Sequence, residues 1–183
     1  ERYLHELFEM EINVTSIKTG LPGITPIAAS QLYEAFEVCM HVSGHSEKTL
    51  LAMDGLTTEN IDLLWVDEYN LQKEHTYADM QYTVEHGAVC LSVMLAVSLI
   101  PYTVIERSRK GTGIDYWLGD NDSFLFQRKA RLEASGILHG DDPRIKSRHA
   151  AKVGQTRKSD SMNIPVYVSV IEFSKPKAMF TKR

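Results

Sequence analysis

The sequence predicts an α/β fold, with a mixed central sheet built from the C-terminal part of the chain and an N-terminal α/β elaboration packed on it. Three observations carry this. Between Thr76 and Phe173, short β-rich runs alternate with two stretches of helical spacing, the pattern that layers helices on a sheet. The run Ile164 to Phe173 is almost continuously apolar, as a strand covered on both faces must be. At 183 residues, 43% hydrophobic and 24% charged, the chain has about the length of one domain and can bury a core, which excludes collagen-like, low-complexity and wholly disordered classes. We divide it into an elaboration over 1–75 and a core over 76–183, together one compact unit.

Taken in order, Leu7 to Ile17 alternates in places and reads as a strand. Ala28 to Val42 carries Leu32, Ala35, Phe36 and Cys39 at helical spacing, and Ile61 to Asn70 reads as a short strand. Thr76 to Leu99 is one long helix. Its apolar part, Ala88 to Ile100, has 11 apolar residues of 13, short of the roughly 18 that span a bilayer, so a buried helix rather than a membrane segment is expected. Pro101 stops it. Tyr102 to Arg107 and Ile114 to Leu118 form a hairpin turned by Gly111-Thr-Gly113. Lys129 to Leu138 alternates as a third strand, with Arg131, Glu133, Ser135 and Ile137 sharing one face. Arg144 to Ser159 is a helix, and Ile164 to Phe173 the last strand of an α-β-β-β-α-β succession.

Charge is divided sharply. Residues 1–100 hold 4 Lys and Arg against 15 Asp and Glu, whereas residues 101–183 hold 16 against 9. Such a split points to a polyanion partner for the C-terminal half, unless the two halves complement one another internally. The acidic N-terminal half is a candidate contact surface for a protein partner, and a homodimer is left open. Two cysteines, Cys39 and Cys90, argue against a disulfide framework and for a reducing, cytoplasmic compartment.

Asp115 lies within Ile-Asp-Tyr-Trp-Leu, where burying an acid is costly without a cation beside it. Glu133 occupies a matching place in Arg-Leu-Glu-Ala-Ser-Gly-Ile. Two carboxylates on neighbouring strands suit a hard divalent cation that keeps waters for a phosphate. A salt bridge to Arg128, Lys129 or Arg131 is the ordinary alternative. Glu85, in line with the small residues Ala88, Val89 and Ser92, faces the strand ends from the long helix; the alternative is a first-turn acid balancing the helix dipole. Arg144, Lys146, Arg148, Lys152, Arg157 and Lys158 form a basic run without an acid, suited to phosphate contact or to a solvated helix face. Cys39, His41 and His45 lack the fourth ligand a zinc site needs, and Gly111-Thr-Gly113 is too short for a dinucleotide loop.

Over residues 76–173 these features resemble the PD-(D/E)XK, or restriction-endonuclease-like, nucleases. Glu85 matches that family's helix acid, Asp115 its strand Asp, and Glu133-Ala-Ser135 its last motif, with Ser135 standing where the family has Lys. Lys129 or Lys152 is placed to substitute for it, and Gln155 resembles a helix Gln found beside the site in some members. The resemblance implies Asp115 and Glu133 as ligands of Mg²⁺ (or Mn²⁺), with Glu85 supporting the metal or its water, and hydrolysis of phosphodiester bonds in DNA. The substitution at Ser135 equally fits a silent subunit of the same fold that binds nucleic acid or scaffolds a larger complex. A purely structural protein using its acidic half as a contact surface is the third reading.

Overall fold

The computed structural model describes residues 10–121 and 127–183. Its elements are β1 (Met10–Asn13), a 3-10 turn (Val14–Thr19), α1 (Pro26–Val42), β2 (Lys48–Gly55), β3 (Ile61–Leu64), α2 (Leu71–Thr76), α3 (Met80–Leu99), β4 (Thr103–Arg107), β5 (Tyr116–Gly119), β6 (Ala130–Ile137), α4 (Asp142–Thr156), a second 3-10 segment (Arg157–Met162), β7 (Val166–Glu172) and β8 (Lys177–Lys182). The strands form one mixed sheet in the order β1-β3-β2-β8-β7-β6-β5-β4.

Local chemistry sets the helix ends. Thr25 accepts from the Ala28 N–H and Pro26 opens α1; Asp79 accepts from the Gln81 and Tyr82 N–H groups at 3.0 and 3.3 Å; Asp141 accepts from the Arg144 N–H at 3.0 Å. Each satisfies a backbone donor that the first turn would otherwise leave unpaired. The Asp79 cap is why the helix expected from Thr76 begins at Met80, with Asn70 capping the separate short α2. The Asp141 cap brings the α4 start forward to Asp142, and its end falls at Thr156, where the tighter 3-10 segment takes over.

Several strand expectations are shortened; Ile114 to Leu118 becomes Tyr116–Gly119, which leaves Asp115 just before the strand instead of within it, and Ile164 to Phe173 becomes Val166–Glu172. Of Leu7 to Ile17, only Met10–Asn13 is strand; Asn13 caps a 3-10 turn at Val14, and Leu7 to Glu9 lie outside the described residues. The run from Ile61 stops at Leu64, because the backbone N–H groups of Asp67 and Glu68 turn to the carboxylates of Glu47 and Glu37 instead of a ladder.

The sheet is covered on both faces at its centre. Along β7, Tyr167 and Ile171 join the core under α3, and Ser169 accepts a 2.7 Å hydrogen bond from Ser92; Val168 and Val170 face the α4 side, where Ile145 packs on Val170 and Ile137. This is the doubly covered strand expected from its apolar run. The long helix α3 has the length and apolarity to cross a membrane, yet it is mostly buried, packed on α1 and on β6 and β7.

Two glycines fix the surroundings of the strand ends. A Cβ on Gly136 would lie 2.4 Å from the Val84 carbonyl oxygen, so only glycine lets α3 approach β6 this closely. Gly113, at φ +76°, would place a Cβ 2.2 Å from the Gln155 carbonyl oxygen, so the β4–β5 turn lies directly on the end of α4.

Candidate functional site

Asp115 directly precedes β5, whose Tyr116 pairs with Leu132 of β6, and its own N–H donates to the Leu132 carbonyl at 2.9 Å, which brings it beside Glu133. Their carboxyls come within hydrogen-bonding reach of each other. Asp115 Oδ2 accepts from the Ala134 N–H at 2.8 Å. Glu133, only 2% exposed, accepts at Oε1 from Lys152 Nζ at 2.8 Å and from Gln155 Nε2 at 3.0 Å. Among the described residues, then, donors reach one oxygen of each acid.

Burial and the Asp115 charge push the Glu133 carboxyl up to about 7, against the pull of Lys152. Asp115 is also raised, chiefly by burial, with the Ala134 N–H, Lys152 and Arg107 opposing. Without a cation between them the two acids favour sharing a proton, the expected behaviour of like charges in close contact.

The pair opens into a groove between α3 and α4. A cavity of about 180 Å³ is lined by Glu85, His86 and Val89 of α3, Leu32 of α1, Arg107, Asp115, Ala134, Ser135 and Lys152. It shares Arg107, Asp115 and Lys152 with a neighbouring hollow walled by Arg109 and Lys110 of the β4–β5 turn, together with Glu133 and Gln155. On its other side, Glu85 also lines a hollow with Arg144 and Arg148.

All six residues singled out for chemistry, Glu85, Asp115, Glu133, Ser135, Lys152 and Gln155, therefore line this groove. Ser135, the departure from the nuclease motif, bonds to Arg148 Nη1 at 3.1 Å, and the same nitrogen reaches the Gly136 carbonyl at 3.3 Å. Lys129 does not approach the site, since it pairs with Asp120; Arg128 pairs with Glu106 and Arg131 with Asp160. The ordinary alternative of a salt bridge is met by Lys152, not by these three. Among the described residues, no three His, Cys, Asp or Glu side chains stand close enough together to hold a metal, so Glu85 faces the acid pair across the cavity rather than joining it.

The basic run separates by helix geometry. Arg144, Arg148 and Lys152 recur every four residues and share the groove face with Gln155. Lys146 and Arg157 are exposed outside these walls, and the Lys158 stem lies by Gly113. Sequence reasoning missed Arg107, Arg109 and Lys110, although a basic tripeptide-like cluster beside a Gly-Thr-Gly turn was visible, and it missed His86. Cys39, His41 and His45 turn to three separate partners, the Thr83 carbonyl, Asp67 and the Phe173 carbonyl.

Each of the nine ion pairs among the described residues joins two residues of the same half of the chain, cut at residue 100. No family model matches the chain, and no curated protein or solved structure is found to be similar to it.

Proposed function

We propose that this chain is a metal-dependent nuclease of the PD-(D/E)XK type, hydrolysing phosphodiester bonds in DNA. The observation that carries the reading is the close Asp115–Glu133 pair at the start of β5, opening into a groove lined by cations. The succession α3-β4-β5-β6-α4-β7 is the order in which the restriction-endonuclease-like core lays out its elements.

The pair fits a hard divalent ion. It offers two carboxylates with one oxygen each beyond the reach of the protein donors described above, and Mg²⁺ takes one or two carboxylates while keeping several waters. Mg²⁺ or Mn²⁺ held there would supply an activated water and offset charge on the phosphate. Arg107 and Arg148 flank the groove to hold phosphate oxygens. Gln155 orients Glu133, and Lys152 places its ammonium beside the acids, in the role of the Lys absent at Ser135.

One observation favours the silent DNA-binding subunit instead. Lys152 already pairs with Glu133, and Ser135 is tied to Arg148, so the Lys152 ammonium occupies the side of the acid pair that a metal would approach. Cleavage of plasmid and oligonucleotide DNA in Mg²⁺ or Mn²⁺ decides between them. The nuclease reading expects metal-dependent cleavage that Asp115→Ala and Glu133→Ala abolish without loss of fold. It also expects Lys152→Ala to reduce cleavage by about two to three orders of magnitude, of the order lost on removing one group that stabilises transition-state charge, with little change in DNA affinity. DNA binding without cleavage under either metal would reject it in favour of the subunit.

A further inference from the structure

Beside the acid pair lies a feature that phosphate chemistry does not use. Tyr82 and His86, one turn apart on α3, stack with ring centroids 3.8 Å apart and planes inclined by 27°. His86 lines the cavity that holds Asp115 and Lys152, while Tyr82 remains 38% exposed. Both rings are held in place. The Gln31 amide donates to the Tyr82 hydroxyl at 3.3 Å, from α1, and His86 Nδ1 lies 2.8 Å from the Tyr82 carbonyl oxygen, which can only accept and so fixes the proton on Nδ1. An aromatic pair anchored at both members and left open to solvent is a rigid apolar face at the mouth of a basic groove.

We infer that this Tyr82–His86 stack is a platform for an unpaired nucleobase, so that the DNA taken by the groove is single-stranded at the scissile position. Stacking on aromatic side chains serves any base, because every base has a π-face, and it combines with a cationic track in proteins that bind single strands. A base inside a duplex already spends both faces on its neighbours and gains nothing from the platform. The depth of the acids agrees with this: Asp115 lines the same cavity as His86, of only about 180 Å³, and Glu133 beside it is buried, so a flexible strand can reach them with one phosphate while a duplex lies across the rim. The hollows that adjoin the His86-lined cavity carry cations, Arg144 and Arg148 in one and Arg107, Arg109 and Lys110 in the other, so the backbone of a strand stacked there continues over positive charge.

The identity of the scissile phosphate rests on the nuclease reading, but the platform is tested by binding alone. Fluorescence anisotropy in EDTA measures a labelled single-stranded oligonucleotide and the duplex of the same sequence on the full chain. Tyr82→Leu should weaken single-strand binding by about 5- to 150-fold, the range for losing one stacked base, and leave duplex binding and the salt dependence unchanged. Tyr82→Phe, which keeps the ring, should bind nearly as wild type, and His86→Ala should reproduce the loss in a second background if Tyr82→Leu does not fold. Equal losses on both forms, an unaffected single-strand affinity, or a wild-type protein that does not prefer the single strand would each overturn the platform. Preserved single-strand preference without metal-dependent cleavage would instead overturn only the nuclease reading.

Discussion

Asp115 and Glu133 were legible because an acid in an apolar stretch is expensive to bury; Lys152 offsets part of that cost, and the Asp115 charge beside Glu133 adds to it. Lys152 was legible only as a chemical substitute for a missing Lys, and Arg107 and His86 were not, because what sets them beside Asp115 is the placement of β4 and α3, which no local pattern records. The acid pair carries a stability consequence. A carboxyl raised in the folded state favours folding while it is protonated; that contribution is complete below its ordinary value and is lost as pH rises through its folded value, here about 7 for Glu133. Glu133→Gln retains an acceptor for Lys152 and Gln155 and offers Asp115 an amide donor in place of a like charge. In EDTA at about pH 8 the variant should therefore be more stable than wild type by about 1 kcal/mol, roughly 2 to 4 °C in Tm, and the difference should shrink as pH falls and vanish only below about pH 4. A thermal melt series across that range checks it, and a less stable variant at the upper end would mean that Lys152 already cancels the repulsion.

At the scale of elements, composition announced α1, α3, α4 and β4 to β7, while β2 and β8 went unread. Lys-Thr-Leu-Leu-Ala-Met-Asp-Gly and Lys-Ala-Met-Phe-Thr-Lys are rich in Leu, Ala, Met and Lys, residues with no strong strand preference, and their β state comes from pairing with each other and with β3 and β7. For α4 the sequence showed six cations, but only the four-residue repeat separates those that face the groove. Replacing both Arg144 and Arg148 with Gln should lower the log-log salt slope of DNA binding by about 0.7 per cation on a single strand and about 0.9 on a duplex, whereas Lys146→Gln should leave it nearly unchanged. A slope equally sensitive to Lys146 would show that the helix acts as a diffuse charge. Gly136 tests the seating of α3. Gly136→Ala forces a methyl against the Val84 carbonyl oxygen, which should cost about 1 to 3 kcal/mol in chemical denaturation and shift Glu85 away from the acid pair, so that any cleavage falls further than stability alone accounts for.

For the molecule as a whole, the contrast between an acidic and a basic half suggested either an external polyanion or mutual neutralisation, and each of the nine ion pairs among the described residues stays within one half. The elaboration over 1–75 is joined to the rest by backbone and apolar contact. Gly55 of β2 pairs in parallel with Phe180 of β8, the Ala52 N–H donates to the Pro176 carbonyl, and the Leu56 N–H donates to the Phe180 carbonyl. On the face above, α1 lies so close to α3 that a Cβ on Gly87 would stand 3.1 Å from the Ala35 carbonyl oxygen and the Phe36 Cα. Removing residues 1–75 would strip both partners at once, leaving β8 as an open edge next to the strand that carries the centre of the core, and baring the side of α3 on which Phe36 and Leu32 pack. An unpaired edge beside exposed apolar surface templates association between chains. The fragment 76–183, although it contains every proposed catalytic residue, should therefore lack a cooperative thermal transition, bind a dye for exposed apolar surface and aggregate, while coexpression with 1–75 should restore a soluble complex that unfolds in a single step. A fragment that melts cooperatively alone and retains the DNA affinity of the full chain would mean that the sheet is two separable units, with β2 merely added to the edge of a self-sufficient core.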